Sequence, residues 1–155
     1  MRKAMLVLAV LGLAGSLWAV DPSVGTWKLN LAQSKGSGPT PKEETLVITA
    51  VDDQIELAVA RTDANGSSIS YKSTRPQEGG ATKWVGPAPA FAAGTTAVVT
   101  VVNPSGYYLT ILKDGKQQEV VHLVVEKDGK TMRVTVKGKN DQGKPLNELL
   151  VFDKQ

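Results

Sequence analysis

The stretch Lys113–Lys144, "KDGKQQEVVHLVVEKDGKTMRVTVKGKNDQGK", decides how the chain is read. Runs of alternating Val- and Thr-rich residues lie between three turn signals: KDGK at Lys113–Lys116, KDGK at Lys127–Lys130 and DQGK at Asp141–Lys144. Their glycines, Gly115, Gly129 and Gly143, recur at equal spacing. An Asp-Gly pair tolerates the positive φ that tight hairpin turns demand, and a period of two puts successive side chains on opposite faces of a strand. The stretch therefore reads as a meander of antiparallel hairpins.

The same pattern extends outward over the chain. Strands are predicted at Val24–Leu31, Glu44–Val51, Gln54–Thr62, Ser67–Thr74, Ala81–Val85, Thr95–Val102, Tyr107–Lys113, Gln117–Lys127, Lys130–Gly138 and Leu146–Phe152. No segment carries a helical period. Sequential antiparallel strands leave two edges of unpaired backbone, which closure into a barrel removes. The expectation is all-β: a single antiparallel up-and-down β-barrel of about 8–10 strands with no substantial helix. An immunoglobulin-type sandwich would need Greek-key crossovers, which turns this short do not supply.

Ahead of this domain, Met1–Ala19 carries Arg2 and Lys3, an apolar run and a closing small residue, the layout of a cleavable secretory signal. The apolar run is shorter than the roughly 20 residues that span a bilayer. Residues 1–19 are thus expected to be removed and 20–155 to form the barrel, secreted or periplasmic, with no stable membrane insertion after signal removal. The chain has no cysteine, so it has neither a disulfide framework nor a site for lipid attachment to cysteine. Loss of Arg2 and Lys3 lowers the formal net charge from +3 by two, to +1. The basic residues Lys127, Lys130, Arg133, Lys137, Lys139 and Lys144 alternate with Thr and apolar residues, as on a solvated strand face. Aromatic residues are not interleaved with them, which argues against nucleic-acid binding.

Three segments carry a resemblance: "VGTWKLNLAQSK" at Val24–Lys35, "SGPTPKEETLVI" at Ser37–Ile48 and "KGKNDQGKPLNELLVFDKQ" at Lys137–Gln155. Together they resemble a family of small secreted bacterial proteins described as lipocalin-like. Gly25-x-Trp27 also matches the first motif of true lipocalins, and the resemblance implies that Gly25 and Trp27 form the sealed barrel base. The chain departs from true lipocalins in three respects. It shows no arginine near the last strand to stack on Trp27, no Thr-Asp-Tyr-type second motif, and no helical pattern after Leu146–Phe152.

In a meander, connections after odd-numbered strands share one end and those after even-numbered strands the other. The long connections Ala32–Lys42 and Gly86–Gly94 fall at one end, and short turns at the other, with Trp27. This describes a cup whose mouth is bounded by the two long loops. Alternation turns Trp27, Leu29, Leu31, Ile55, Leu57, Val59, Leu109, Ile111, Met132, Val134 and Val136 inward. The candidate ligand-binding residues are Trp84 and Phe91 at the mouth, with Leu31, Val59 and Ile111 lining the interior. A small apolar molecule is the expected partner. The alternative is a non-catalytic structural or protein-interaction module with a filled barrel.

No residue pattern signals a reaction centre, a metal site or a cofactor, and the chain is not expected to be an enzyme. His122, the only histidine, lies within "VVHLVV" and reads as a half-buried core or rim residue. "DANG" at Asp63–Gly66 resembles a fragment of a calcium loop, but acidic ligands do not follow at the required offsets, and a bare turn accounts for it. Glu148 sits in "LNELLVF", apolar on both faces, and is assigned to the outer face.

Overall fold

Between Lys113 and Lys116, which pair across their hairpin, Asp114 and Gly115 take φ of 50° and 76°. Both residues of this two-residue turn are thus left-handed, matching the right-handed twist of the flanking strands. The two other glycine signals make wider turns. Gly129, at φ 65°, donates its N–H to Glu126 O at 2.9 Å. Asp128 Oδ1 accepts from the backbone N–H groups of Lys130 and Thr131 at 2.8 and 2.9 Å. These bonds favour the ionised form and hold the Asp128 carboxyl below its ordinary pKa. Gly143, at φ 74°, donates to Asn140 O, while Asn140 Oδ1 accepts from Lys144 N at 2.9 Å. Equal spacing of the glycines therefore accompanies two kinds of turn.

The computed structural model describes residues 21–85, 94–140 and 142–155, so the expected signal segment Met1–Ala19 and the expected mouth residue Phe91 lie outside it. The strands are β1 (Gly25–Leu29), β2 (Lys35–Gly36), β3 (Glu43–Val51), β4 (Gln54–Thr62), β5 (Ser68–Pro76), β6 (Gly79–Val85), β7 (Thr95–Asn103), β8 (Gly106–Lys113), β9 (Lys116–Val125), β10 (Thr131–Lys139) and β11 (Pro145–Lys154). From β3 onward each strand pairs antiparallel with the next in sequence, and β1 pairs with both β3 and β11, which closes the ring. This is the expected up-and-down barrel, lipocalin-like in architecture. No helix occurs among the described residues.

The predicted first strand is broken. It ends at Leu29, the chain turns through Asn30–Ser34, and β2 resumes the same place along β11, with Gly36 opposite Glu148 and Lys35 opposite Leu149. Asn30 O accepts from the N–H and hydroxyl of Ser34 at 3.1 and 2.7 Å, and Asn30 Nδ2 donates to Asp153 Oδ2 at 2.8 Å. The break would leave the Val151 N–H without a strand partner. It donates instead to Ser34 Oγ at 2.9 Å, so a side chain fills the missing rung of the ladder. Leu31, in this turn, is 50% exposed and does not face the interior as its parity suggested.

One end of the barrel is packed solid. Trp27, Ile48, Met132 and Phe152 are almost wholly buried there. Trp27 Nε1 donates to Ser23 O at 2.7 Å, tying the indole to the segment that precedes β1. That segment is itself held by Asp21, whose carboxylate accepts from the N–H and hydroxyl of Ser23 and pairs with Arg75 at 3.8 Å. Lys154, on the last strand, covers the indole, its Nζ 5.1 Å from the centre of the Trp27 ring. Gly25 takes φ 142°, and a Cβ there would lie 2.7 Å from Lys154 Cε, so the Gly-x-Trp spacing leaves room for the covering lysine.

Candidate functional site

Between the packed base and the other end, the inward side chains do not meet. They enclose a cavity of about 360 Å³. The middle of its wall is aliphatic, with Leu57 and Val59 from β4, Val99 from β7, Leu109 and Ile111 from β8, Val121 from β9, Val134 and Val136 from β10, and Leu150 from β11. These residues share parity with the base residues of their strands, so alternation alone turns them inward. An aromatic pair completes the wall: Tyr71 and Trp84 meet edge to face, 5.7 Å between ring centres at 67°.

The sequence-predicted residues divide accordingly. Val59, Ile111 and Trp84 line the cavity, and Trp84 pairs with Ser73 midway along β5, which makes it a wall residue rather than a rim residue. Leu31 is outside the wall, and Phe91 and most of the loop Gly86–Gly94 fall outside the described residues. Trp27 lies in the buried cluster at the packed base, with Gly25 beside Lys154. The connection Ala32–Lys42 is less a free rim loop than a piece of wall: Ser37 N donates to Asn147 O at 3.1 Å, and Asn147 N donates back to Ser37 Oγ at 3.0 Å.

Charged residues also line the cavity, and here the outward assignment of Glu148 is corrected. Glu148 pairs with Val136 and Gly36 and lines the cavity beside Val136, because the register of β11 against β10 fixes its face. A Cβ on Gly36 would lie 2.9 Å from Glu148 Cγ, so only glycine leaves this side chain its place. Glu44 and Arg61, paired across β3 and β4, also line the cavity, as does Glu119. Glu44 is 7% exposed. Its Oε2 lies 3.9 Å from Arg61 Nη1, beyond hydrogen-bond reach, and accepts no hydrogen bond among the described residues. Arg61 Nε instead donates to Asp63 Oδ1 at 2.6 Å. Asp63 thus pairs its carboxylate with β4, while its backbone closes the "DANG" turn through Ser67 O and Gly66 N.

Burial is the main cause raising the Glu44 pKa above the ordinary carboxylate value; Arg61 opposes it, and the charges of Asp63 and Glu148 add to it. Burial likewise pushes the Tyr71 hydroxyl up to about 12, reinforced by Glu44. Deeper, Arg75 is 7% exposed, lies 4.6 Å over the Tyr107 ring, and donates to Pro76 O and Gln77 O at 3.1 and 3.2 Å. Burial raises the Tyr107 pKa, against the opposing pull of Arg75.

His122 takes no part in the cavity. It is half-buried on the outer face and stacks on Tyr108, 4.2 Å between ring centres at 11°. Among the described residues, no group of three or more His, Asp or Glu is arranged to hold a metal ion.

The barrel matches a known structure. It is similar to the S-type phycobiliprotein lyase CPES from Guillardia theta, with a TM-score of 0.55 over 86% of this chain and 89% of that one. The two sequences are 12% identical, so the likeness bears on the fold. Neither a family model nor a curated protein matches the sequence.

Proposed function

We propose that this protein is a carrier or receptor for a small molecule with a largely apolar body, held inside the barrel. The observation that supports this best is the cavity of about 360 Å³, within the range of small-ligand sites, walled by aliphatic side chains around a few polar groups. A filled-barrel structural module has no need of such a space. The layout of Met1–Ala19 supports export, with Val20 as the first residue of the working protein.

The test uses phenylnaphthylamine, an apolar fluorophore that brightens on leaving water. Saturable brightening with the wild-type protein, lost in Leu57→Trp, which fills the cavity from its wall, supports interior binding. Brightening that Leu57→Trp leaves intact would place the probe elsewhere and remove the basis of the proposal.

A second reading, catalysis in the same cavity, draws support from two points. The structural neighbour is named a lyase, and the buried Glu44 carboxyl with its raised pKa suits a proton donor. Recovery of a physiological ligand chemically unchanged after prolonged incubation favours the carrier; conversion that Glu44→Gln abolishes favours the enzyme.

A further inference from the structure

Resting on the binding reading, the arrangement at Glu44 also specifies one end of the ligand. Glu44 is more than nine-tenths buried, lines the cavity, and keeps Oε2 without a hydrogen-bond donor among the described residues. A buried acceptor left in this way is costly, and a buried carboxylate most of all. The nearby cation does not remove that cost, because Arg61 directs its short contact to Asp63, 2.6 Å away, and stands 3.9 Å from Glu44. Glu148 lines the same cavity, and its charge acts on Glu44. Its Oε1 lies beside Gly38, where a Cβ would be 3.4 Å away. One arginine shared between Glu44 and Asp63, with Glu148 in addition, leaves these four groups negative in sum.

We propose that the ligand carries a protonated amine at one end of its apolar body, with the ammonium donating to Glu44 Oε2 and lying between Glu44 and Glu148. An ammonium supplies both the missing donor and the missing positive charge, and charge-assisted hydrogen bonds are roughly twice as strong as neutral ones. A hydroxyl supplies the donor without the charge. A carboxylate supplies neither and sets like charges side by side. The aliphatic wall formed by Leu57, Val59, Val121 and Val136 receives the apolar body in all three cases.

Calorimetric titration of the exported protein at pH 7 with octylamine, octanol and octanoate separates these. Octylamine is expected to bind at least ten-fold more tightly than octanoate, with octanol between them. Glu44→Gln and, independently, Glu148→Gln should each weaken octylamine several-fold and octanol distinctly less, so that the amine preference shrinks; circular dichroism confirms that the variants are folded. Equal affinities for the three probes, tighter binding of octanoate, or an amine preference that survives both substitutions overturns the amine assignment and leaves apolar binding standing. Absence of binding by all three overturns both.

Discussion

Trp27→Ala removes the largest side chain of the barrel base. The indole is wholly buried, packed with Ile48, Met132 and Phe152, and capped by Lys154. Truncation to alanine opens a void that these neighbours, themselves fixed in opposing strands, cannot collapse to fill, and such changes cost about 3–5 kcal/mol. The bond from Nε1 to Ser23 O is lost as well, leaving a buried carbonyl of the segment that seals the base unsatisfied. Against a total stability of roughly 5–15 kcal/mol the loss is large, and at about 3 °C per kcal/mol it lowers Tm by roughly 10 °C or more. Trp84→Ala provides the comparison. Trp84 is half-buried and borders the cavity, so its removal enlarges an existing space and should cost about 1–2 kcal/mol. Urea melts followed by far-ultraviolet circular dichroism measure both variants without relying on tryptophan emission. Equal costs would refute the division into a packed base and a hollow upper barrel.

Glu44→Gln should stabilise the protein near neutral pH. A carboxyl whose pKa is raised on folding contributes most below its unfolded value, and that contribution is lost as pH rises through the folded value, so the variant's advantage in Tm should grow with pH and vanish below about pH 4. Asp128→Asn should show the opposite sense, because the wild-type carboxyl is held down by three hydrogen bonds: the variant is less stable at neutral pH, and the difference closes as acid protonates Asp128. Gly129→Val should cost about 1–2 kcal/mol through its left-handed φ, in open space, while Gly129→Asn is nearly neutral, and equal melts for the two would remove the turn argument. Gly138→Ala should be worse than Gly129→Ala, since its Cβ would overlap the Gln118 carbonyl of β9; thermal melts rank the pair.

The meander was legible because Asp, Asn and Gly act locally at turns, and inward faces were legible because parity needs only a strand's own sequence. Val59, Ile111 and Trp27 were placed on those grounds. The break at Asn30–Ser34 was not legible, because "WKLNL" continues to alternate through Leu31, and what permits the turn is a hydroxyl supplied to Val151 from far away in sequence. Glu148 was misplaced because its strand is apolar on both faces; its side is decided by partners on β10 and β2. Glu44 and Arg61 carry a usable signal in their strand positions. They share parity with Leu46 and Val59, so charged side chains continue two inward faces to the mouth. The cavity itself depends on the ring's closure between β1 and β11, which no single segment specifies.

The central claim, that the barrel takes an apolar molecule into its interior, is tested most directly by methyl NMR of the folded protein during titration with octylamine. Methyl resonances of the wall residues Leu57, Val59, Val121 and Val136 are predicted to shift together and saturate. Those of the outward-facing Val47, Val98 and Val102 should stay in place. Shifts confined to the outward valines, or wall methyls that remain unmoved at saturating probe, would contradict the account.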